Sequence, residues 1–170
     1  MIDLGFVKFS QRQLLALMSL GCIALLAFGL YLQHVVGLEP CPMCIVQRYA
    51  MVLIVLWAGL FAAIPKAWAA TTGLVGAIVI ALGGAGVAAR QSWMQWYPPQ
   101  VQTCGLDFYD MVETLPMKRA LPMIFRGGGD CTKVDWTFLG GSIANWSFVA
   151  FSAIIIAAVW ALWQARKNAV

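Results

Sequence analysis

Long apolar runs dominate the pattern of hydrophobic and polar positions along the chain. Each run contains about 20 residues with almost no charged side chain, which is the length that an α-helix needs to cross roughly 30 Å of hydrocarbon. The four runs cover residues 14–32, 45–64, 71–89 and 143–163. Polar loops at about 33–44 and 90–142, and a tight turn at Pro65-Lys66, separate them. Because so tight a turn forces its two helices to pack antiparallel, the pattern predicts an all-α membrane protein with an antiparallel four-helix transmembrane bundle.

The composition agrees with a membrane protein and leaves little chain for a soluble domain. Hydrophobic residues make up 62% of the 170 residues and charged residues only 11%, whereas a soluble domain is about 25% charged. We therefore expect a single four-span domain over residues 1–170, embedded in a lipid bilayer. The basic residues behind the net charge of +4 do not form a patch, so nucleic acid is not a predicted partner.

The placement of the basic residues predicts the orientation in the membrane. Lys8 and Arg12 precede the first span, Lys66 lies in the tight turn, and Arg166 and Lys167 follow the last span. Lys and Arg are enriched on the cytoplasmic side of membrane proteins, so both termini and the tight turn are predicted to be cytoplasmic. The loop at 90–142 also carries basic residues, but it is close to the length at which this rule no longer applies. Both polar loops are therefore predicted on the opposite side.

The long loop is predicted to do more than connect two spans, because loops of this length are usually functional. Its middle piece, Leu115–Phe125, alternates apolar residues with a basic pair. Such a piece is typical of a short interfacial helix lying on the bilayer surface. Gly127-Gly128-Gly129 follow and precede Cys131, and they form either a plain loop tip or a hinge.

Four of the five cysteines form two pairs, one in each polar loop. Cys41 and Cys44 lie in the first loop, and Cys104 and Cys131 lie in the long one. Two spans separate these loops, so both pairs face the same side of the membrane. With the predicted orientation that side is non-cytoplasmic, where disulfides persist. Cys22 falls in the middle of the first span and is expected to behave as a small apolar residue.

The stretch from Glu39 to Arg48 concentrates the candidate chemistry. Pro40 cannot continue a preceding helix, whereas Pro42 suits a first helical turn. Cys44 therefore lies near a helix N-terminus, where the partial positive charge favours thiolate over thiol. Arg48 follows four residues later on the same helix face. It either anchors to lipid headgroups or stabilises the sulfur, and its position one turn after Cys44 favours the second role.

Two cysteine pairs on one face of the membrane allow three interpretations. A structural disulfide between Cys104 and Cys131 would contribute about 3–4 kcal/mol, but a C-x-x-C ring barely restricts the unfolded chain. A Cys₄ zinc site would have the usual spacing in only one of its two pairs. Disulfide exchange coupled to an electron acceptor in the membrane is the interpretation that accounts for the C-x-x-C motif at a helix N-terminus, the adjacent arginine and the second pair.

Four motifs stand along the chain: Pro40-Cys41-x-x-Cys44-x-x-Gln47-Arg48, Trp96-Tyr97-Pro98 ahead of Cys104, Gly129-Asp130-Cys131, and Trp136-x-Phe138-Leu139-Gly140. Together they resemble the motifs of the DsbB family of bacterial inner-membrane disulfide bond formation proteins, and the resemblance covers nearly the whole chain. The resemblance implies a thiol:quinone oxidoreductase that reoxidises the periplasmic dithiol oxidase DsbA. It also implies ubiquinone or menaquinone as the electron acceptor, no metal, and cysteine loops in the periplasm.

The resemblance further implies a role for each candidate site residue. Cys104 would be the sulfur that the partner's thiolate attacks, and Cys131 would then resolve toward Cys41. Cys44 would become the thiolate that faces the quinone ring, with Arg48 supporting both. Gln91 stands where some members of the family have histidine near the quinone, so no role is assigned to it from the sequence.

Three alternatives are compatible with the same motifs. One is a paralogous disulfide enzyme with a dedicated partner. Another is a quinone-linked enzyme resembling vitamin K epoxide reductase, although the motif order in that family differs. The third is a non-enzymatic membrane scaffold that binds metal through four cysteines. Only the enzymes would move electrons from the thiols to a quinone.

Overall fold

A computed structural model describes residues 2–3, 8–98 and 131–167. Within these residues four helices are long and apolar enough to cross a membrane. They are α1 (Gln11–His34), α2 (Pro42–Ala63), α3 (Ala67–Trp96) and α4 (Ile143–Lys167). This architecture confirms the predicted all-α four-helix membrane bundle.

Two short antiparallel strand pairs accompany the helices. The first pairs β1 (Ile2–Asp3) with β2 (Lys8–Phe9), ahead of α1. The second pairs β3 (Thr137–Phe138) with β4 (Gly141–Ser142), and its last residue leads directly into α4. The Ser142 hydroxyl accepts a hydrogen bond from the Asn145 backbone N–H at 3.3 Å and donates one to the Gln95 side chain of α3 at 2.6 Å. The start of α4 is therefore fastened to the end of α3.

The helices extend beyond the apolar runs because hydrophobicity marks only the part of a helix that lies in hydrocarbon. α1 begins at Gln11, where Ser10 and Gln13 form a reciprocal capping box, which satisfies backbone N–H groups left free at a helix start. α3 continues to Trp96, although its apolar run ends at residue 89. Its last two turns therefore carry polar side chains into the neighbourhood of the cysteines.

The third apolar run carries a small residue at every fourth position, namely Gly73, Ala77, Ala81, Ala85 and Ala89, and such a stripe predicts a packing seam at which helices approach closely. Gly73, Ala77, Ala81 and Ala85 are buried, but the buried positions that follow are Val87 and Ala88, and Ala89 is exposed. The prediction of Ala89 was wrong because a helix has 3.6 residues per turn, so a strict four-residue spacing drifts off a face.

Gly84 of α3 packs against Phe151 of α4. A Cβ atom on Gly84 would lie 2.4 Å from the ring of Phe151, which is fully buried on α4. Close packing of this kind holds membrane helices together, because lipid supplies no hydrophobic driving force between them.

The helices are packed in chain order. α1 contacts α2, α2 contacts α3, and α3 contacts α4 most extensively, so α1 and α4 lie at the two edges of the array. The predicted interfacial segment at 115–125, the three glycines at 127–129 and Cys104 lie outside the described residues.

Candidate functional site

The C-x-x-C motif forms the start of α2. Cys41 is the N-cap residue with an extended backbone, and its sulfur accepts the backbone N–H of Cys44 at 3.3 Å. Pro42 occupies the first helical turn, as predicted, where the missing N–H of proline leaves no hydrogen bond unmade. Both sulfurs therefore lie at the positive end of the helix dipole.

The two sulfurs of the motif are in direct contact. The Sγ atoms of Cys41 and Cys44 are 2.7 Å apart and are not bonded. Since a disulfide bond is about 2.05 Å long, the two thiols are close enough to form one when an oxidant removes two electrons and the two protons leave. Cys41 is buried and Cys44 is half-buried, so Cys44 is the more accessible of the two.

Cys131 joins this pair from the far end of the long loop. Its side chain is 0% exposed and packs in one apolar cluster with Cys41, Met43 and Met94. Hydrogen bonds with the side chains of Cys131 and Cys44, together with burial, raise the pKa of the Cys41 thiol above its usual value. Cys41 is thus the central sulfur of three and an unfavourable place for negative charge.

Arg48 lies one helical turn after Cys44 and is oriented by α1. Its guanidinium donates to the side-chain oxygen of Gln33, and to the backbone oxygen of Gly29 at 3.1 Å. Both partners are neutral, so they hold the guanidinium in place without cancelling its charge. This geometry differs from a headgroup anchor, because the side chain reaches across to a neighbouring helix.

Gln91 was not assigned a role from the sequence, yet it contacts both sulfurs of the motif. Its Nε2 lies 3.2 Å from Cys41 Sγ and 3.1 Å from Cys44 Sγ, and its Oε1 accepts a hydrogen bond from Gln47 Nε2 at 2.7 Å. Both glutamines are 3% exposed. One signal was available in the sequence, since Gln91 follows Ala88 by three residues and continues the buried face of α3.

A cavity of about 550 Å³ adjoins the motif, within the usual range of about 300–1,000 Å³ for ligand sites. Cys41, Cys44, Arg48 and Gln91 line one part of it. Residues of α1, such as Leu25, and residues of α4 line much of the rest. The cavity therefore occupies the gap between the two edge helices of the array.

Aromatic side chains form one wall of this cavity. The ring of Trp136 packs edge-on against Phe28 with centroids 5.7 Å apart and stacks on Phe138 at 6.1 Å. Phe138 in turn lies 6.0 Å from Trp146, whose indole N–H donates to the Phe138 backbone oxygen at 3.0 Å. All four rings line the cavity. The β3–β4 pair that carries Phe138 thus closes the site from the loop side.

The described structure brings together four of the five predicted site residues, namely Cys41, Cys44, Arg48 and Cys131. The fifth, Cys104, lies outside the described residues. His34 is the last residue of α1 and is exposed. Among the residues described, no group of three or more side chains is arranged to hold a metal ion.

Comparison with known proteins finds one matching family and several relatives that share one name. The family described as "Disulfide bond formation protein DsbB" matches residues 11–161. A "Disulfide bond formation protein B" of Polaromonas naphthalenivorans (strain CJ2) is 66% identical over 150 residues, which are 88% of this chain and 90% of the relative. A protein of the same name from Acidovorax sp. (strain JS42) is 63% identical, with 87% and 85% covered. A more distant one from Azoarcus sp. (strain BH72) is 51% identical, with 92% and 95% covered.

Proposed function

Because this chain belongs to the DsbB family of disulfide bond formation proteins, we propose that it is a membrane thiol:quinone oxidoreductase. It reoxidises a periplasmic DsbA-type dithiol oxidase and passes the electrons to ubiquinone or menaquinone. The observation that carries this proposal is the position of Cys41, whose sulfur contacts both Cys44 and Cys131 beside a cavity between α1 and α4. That position connects a loop sulfur to a site within the membrane.

The proposed relay moves one electron pair from the partner to the inner cysteine pair through four thiol–disulfide exchange steps. The partner's thiolate attacks Cys104 of a Cys104–Cys131 disulfide, which forms a mixed disulfide and releases Cys131 as a thiolate. Cys131 then attacks Cys41, so a Cys131–Cys41 bond forms, the Cys41–Cys44 bond breaks, and the electron pair stays on Cys44. The partner's second thiolate resolves the mixed disulfide, which leaves the partner oxidised and Cys104 as a thiolate. When Cys104 in turn attacks Cys131, the outer disulfide re-forms and Cys41 is released, so both electrons end on the inner pair.

The reduction potential of the partner requires an electron acceptor that is more oxidising than a protein disulfide. DsbA-type oxidases have potentials of about −120 mV, among the most oxidising of thiol proteins. A membrane quinone, when bound, supplies the two-electron acceptor that this step needs.

The cavity suits a quinone in size, shape and polarity. Its aromatic wall, formed by Phe28, Trp136, Phe138 and Trp146, offers flat surfaces for a ring. The guanidinium of Arg48 would hold a ring oxygen and offset the negative charge that builds up there. Leu25 of α1 and Val149 of α4 line the cavity and also have exposed side chains, which supports entry of an apolar tail from the lipid between the edge helices.

The proposed location is the bacterial inner membrane, with both termini cytoplasmic and the cysteine loops periplasmic. Arg12 Nε donates to the backbone oxygen of Ala62 at 2.9 Å, so the start of α1 and the tight turn with Lys66 lie at one end of the bundle. The cysteine motif lies at the opposite end. Basic residues gathered at one end support a cytoplasmic placement of that end.

Quinone reduction by the purified protein with a reduced dithiol partner tests the function. We expect the quinone absorbance to fall with the wild-type protein and to stay constant with Cys44→Ser, which keeps the helix start but removes the last thiol of the relay. Oxidation of the partner without any quinone reduction would contradict the proposal. Activity with a different periplasmic dithiol protein, but none with a DsbA-type oxidase, would instead indicate a dedicated partner.

A further inference from the structure

We propose that Gln91 is the hydrogen-bond donor that stabilises negative charge on the Cys41–Cys44 pair, and that Gln47 is the positioning residue that orients the Gln91 amide. This inference rests on the proposed function, because it assigns roles to two further residues at the same redox site. Gln91 contacts the reacting sulfurs, whereas Gln47 acts only through Gln91.

The geometry places one amide nitrogen between two sulfurs. Nε2 of Gln91 lies 3.2 Å from Cys41 Sγ and 3.1 Å from Cys44 Sγ. A carboxamide NH₂ group has two N–H donors, so one can be directed at each sulfur. A disulfide sulfur and a thiolate carry no proton and can only accept a hydrogen bond. The nitrogen end of Gln91, rather than its oxygen end, therefore suits both redox states of the pair.

Gln47 fixes which end of the amide faces the sulfurs. Its Nε2 donates to Gln91 Oε1 at 2.7 Å, which occupies the oxygen end on the side away from the cysteines. A Gln91 amide turned by 180° would place its oxygen against the sulfurs and its nitrogen against the Gln47 nitrogen, so both interactions would be lost. Because both side chains are buried, water does not readily replace the missing partners.

The donor is in place before the chemistry begins. When the Cys131 thiolate attacks Cys41, the Cys131–Cys41 bond forms and the Cys41–Cys44 bond breaks, with its electron pair left on Cys44 Sγ. The Gln91 N–H already lies within hydrogen-bonding distance of that sulfur. A preorganised donor in a water-poor site stabilises developing charge without any rearrangement. Arg48 supplies net charge from the next turn, whereas Gln91 supplies a directed contact.

The reduction potential of the Cys41–Cys44 pair tests the proposal without a quinone or a partner protein. The full chain would carry Cys104→Ser and Cys131→Ser, so that glutathione equilibrates with this pair alone. Stabilised thiolates favour the reduced pair, as in strongly oxidising thiol proteins. We expect Gln91→Met, which has nearly the same volume but no donor, to shift the equilibrium about tenfold toward the disulfide, or about 30 mV to a more negative potential.

Two further variants separate donation from a structural role. Ser92→Ala is the matched control, since Ser92 is the buried neighbour of Gln91 and its hydroxyl has no hydrogen-bond partner within the described part of the chain. It should leave the potential unchanged. Gln47→Met should shift the potential in the same direction as Gln91→Met by a smaller factor, because Gln91 then loses its orientation but keeps its donors.

The double variant Gln47→Met/Gln91→Met guards against failed folding. Replacing both glutamines leaves no buried amide without its partner, and this costs far less stability than replacing only one of them. Its potential should equal that of Gln91→Met rather than the sum of the two single shifts. The proposal would be overturned if the reduction potential of Gln91→Met equalled that of Ser92→Ala within error. It would also be overturned if the shifts of the two single variants added in the double variant. Absence of quinone reduction by the wild-type protein would instead count against the proposed function and leave this result standing.

Discussion

Replacing Arg48 tests whether its charge serves the redox chemistry. The Cβ atoms of residues four apart on a helix lie about 5–6 Å from each other, and two unit charges about 6 Å apart would interact by about 3 kcal/mol at an effective dielectric constant of about 20. For Arg48 and a Cys44 thiolate this is an upper value, because the guanidinium extends toward Gln33 and Gly29 of α1. Arg48 is only half-buried, so solvent screening reduces this value. We expect about 1–2 kcal/mol to remain.

The corresponding kinetic effect follows from that energy. A loss of about 1–2 kcal/mol lowers the rate of the affected step by roughly 5- to 30-fold. Arg48→Met should therefore lower kcat/KM for quinone by this factor, and KM should rise if the guanidinium also holds the ring. Residual activity is expected because both the helix N-terminus and the Gln91 N–H still favour the anion. The kcat/KM of Arg48→Lys should fall between those of wild type and Arg48→Met, since lysine keeps the charge but lacks the fork that reaches Gln33 and Gly29 together.

The assay varies the quinone concentration at saturating reduced partner. Formation of the mixed disulfide with the partner is measured in parallel and should be unchanged, because Arg48 has no part in that first exchange. Kinetics of Arg48→Met that match wild type in both kcat and KM would refute the reasoning and reduce Arg48 to a packing contact with α1. Loss of both steps together would point to misfolding instead.

Three further predictions concern the relay, the orientation and the packing. In Cys131→Ser, which has no outer disulfide for a thiolate to attack, the Cys104 thiolate should instead open the disulfide of the oxidised partner and release the partner's second cysteine as a thiolate. The resulting mixed disulfide between Cys104 and the partner should be visible on a non-reducing gel, whereas a partner trapped on another cysteine of this chain would reverse the proposed direction. After reduction, a membrane-impermeant thiol reagent should label Cys104 from the periplasmic side, and labelling only from the cytoplasm would contradict the orientation. Gly84→Ala should destabilise the bundle by about 1–3 kcal/mol through overpacking against Phe151. Gly83→Ala, with nothing within 4 Å of its Cβ position, is the control and should leave the thermal unfolding temperature nearly unchanged.

The sequence predicted the start of α2 well because local rules determine it. Pro42 can occupy a first helical turn but not a helix interior, and this alone places Cys41 and Cys44 at a helix N-terminus. Two spans separate the two cysteine loops, so predicting that both loops face the same side of the membrane likewise required no tertiary information. The small residues on α3 predicted a buried seam, and the error at Ala89 came from a fixed spacing applied to a helix of non-integral repeat.

The pairing of Cys131 with Cys41 and the role of Gln91 depend on contacts between segments far apart in the chain. The even number of spans between the loops places the two sulfur pairs on one face of the membrane, but it does not say which sulfur of the loop reaches which sulfur of the helix. For Gln91 the decisive fact is that α3 continues as a helix after its apolar run ends, which hydropathy does not reveal. Once that helix is extended, Gln91 falls on the buried face after Ala88. A polar side chain on that face needs a partner, and Gln47 and the two sulfurs are the partners that the fold provides.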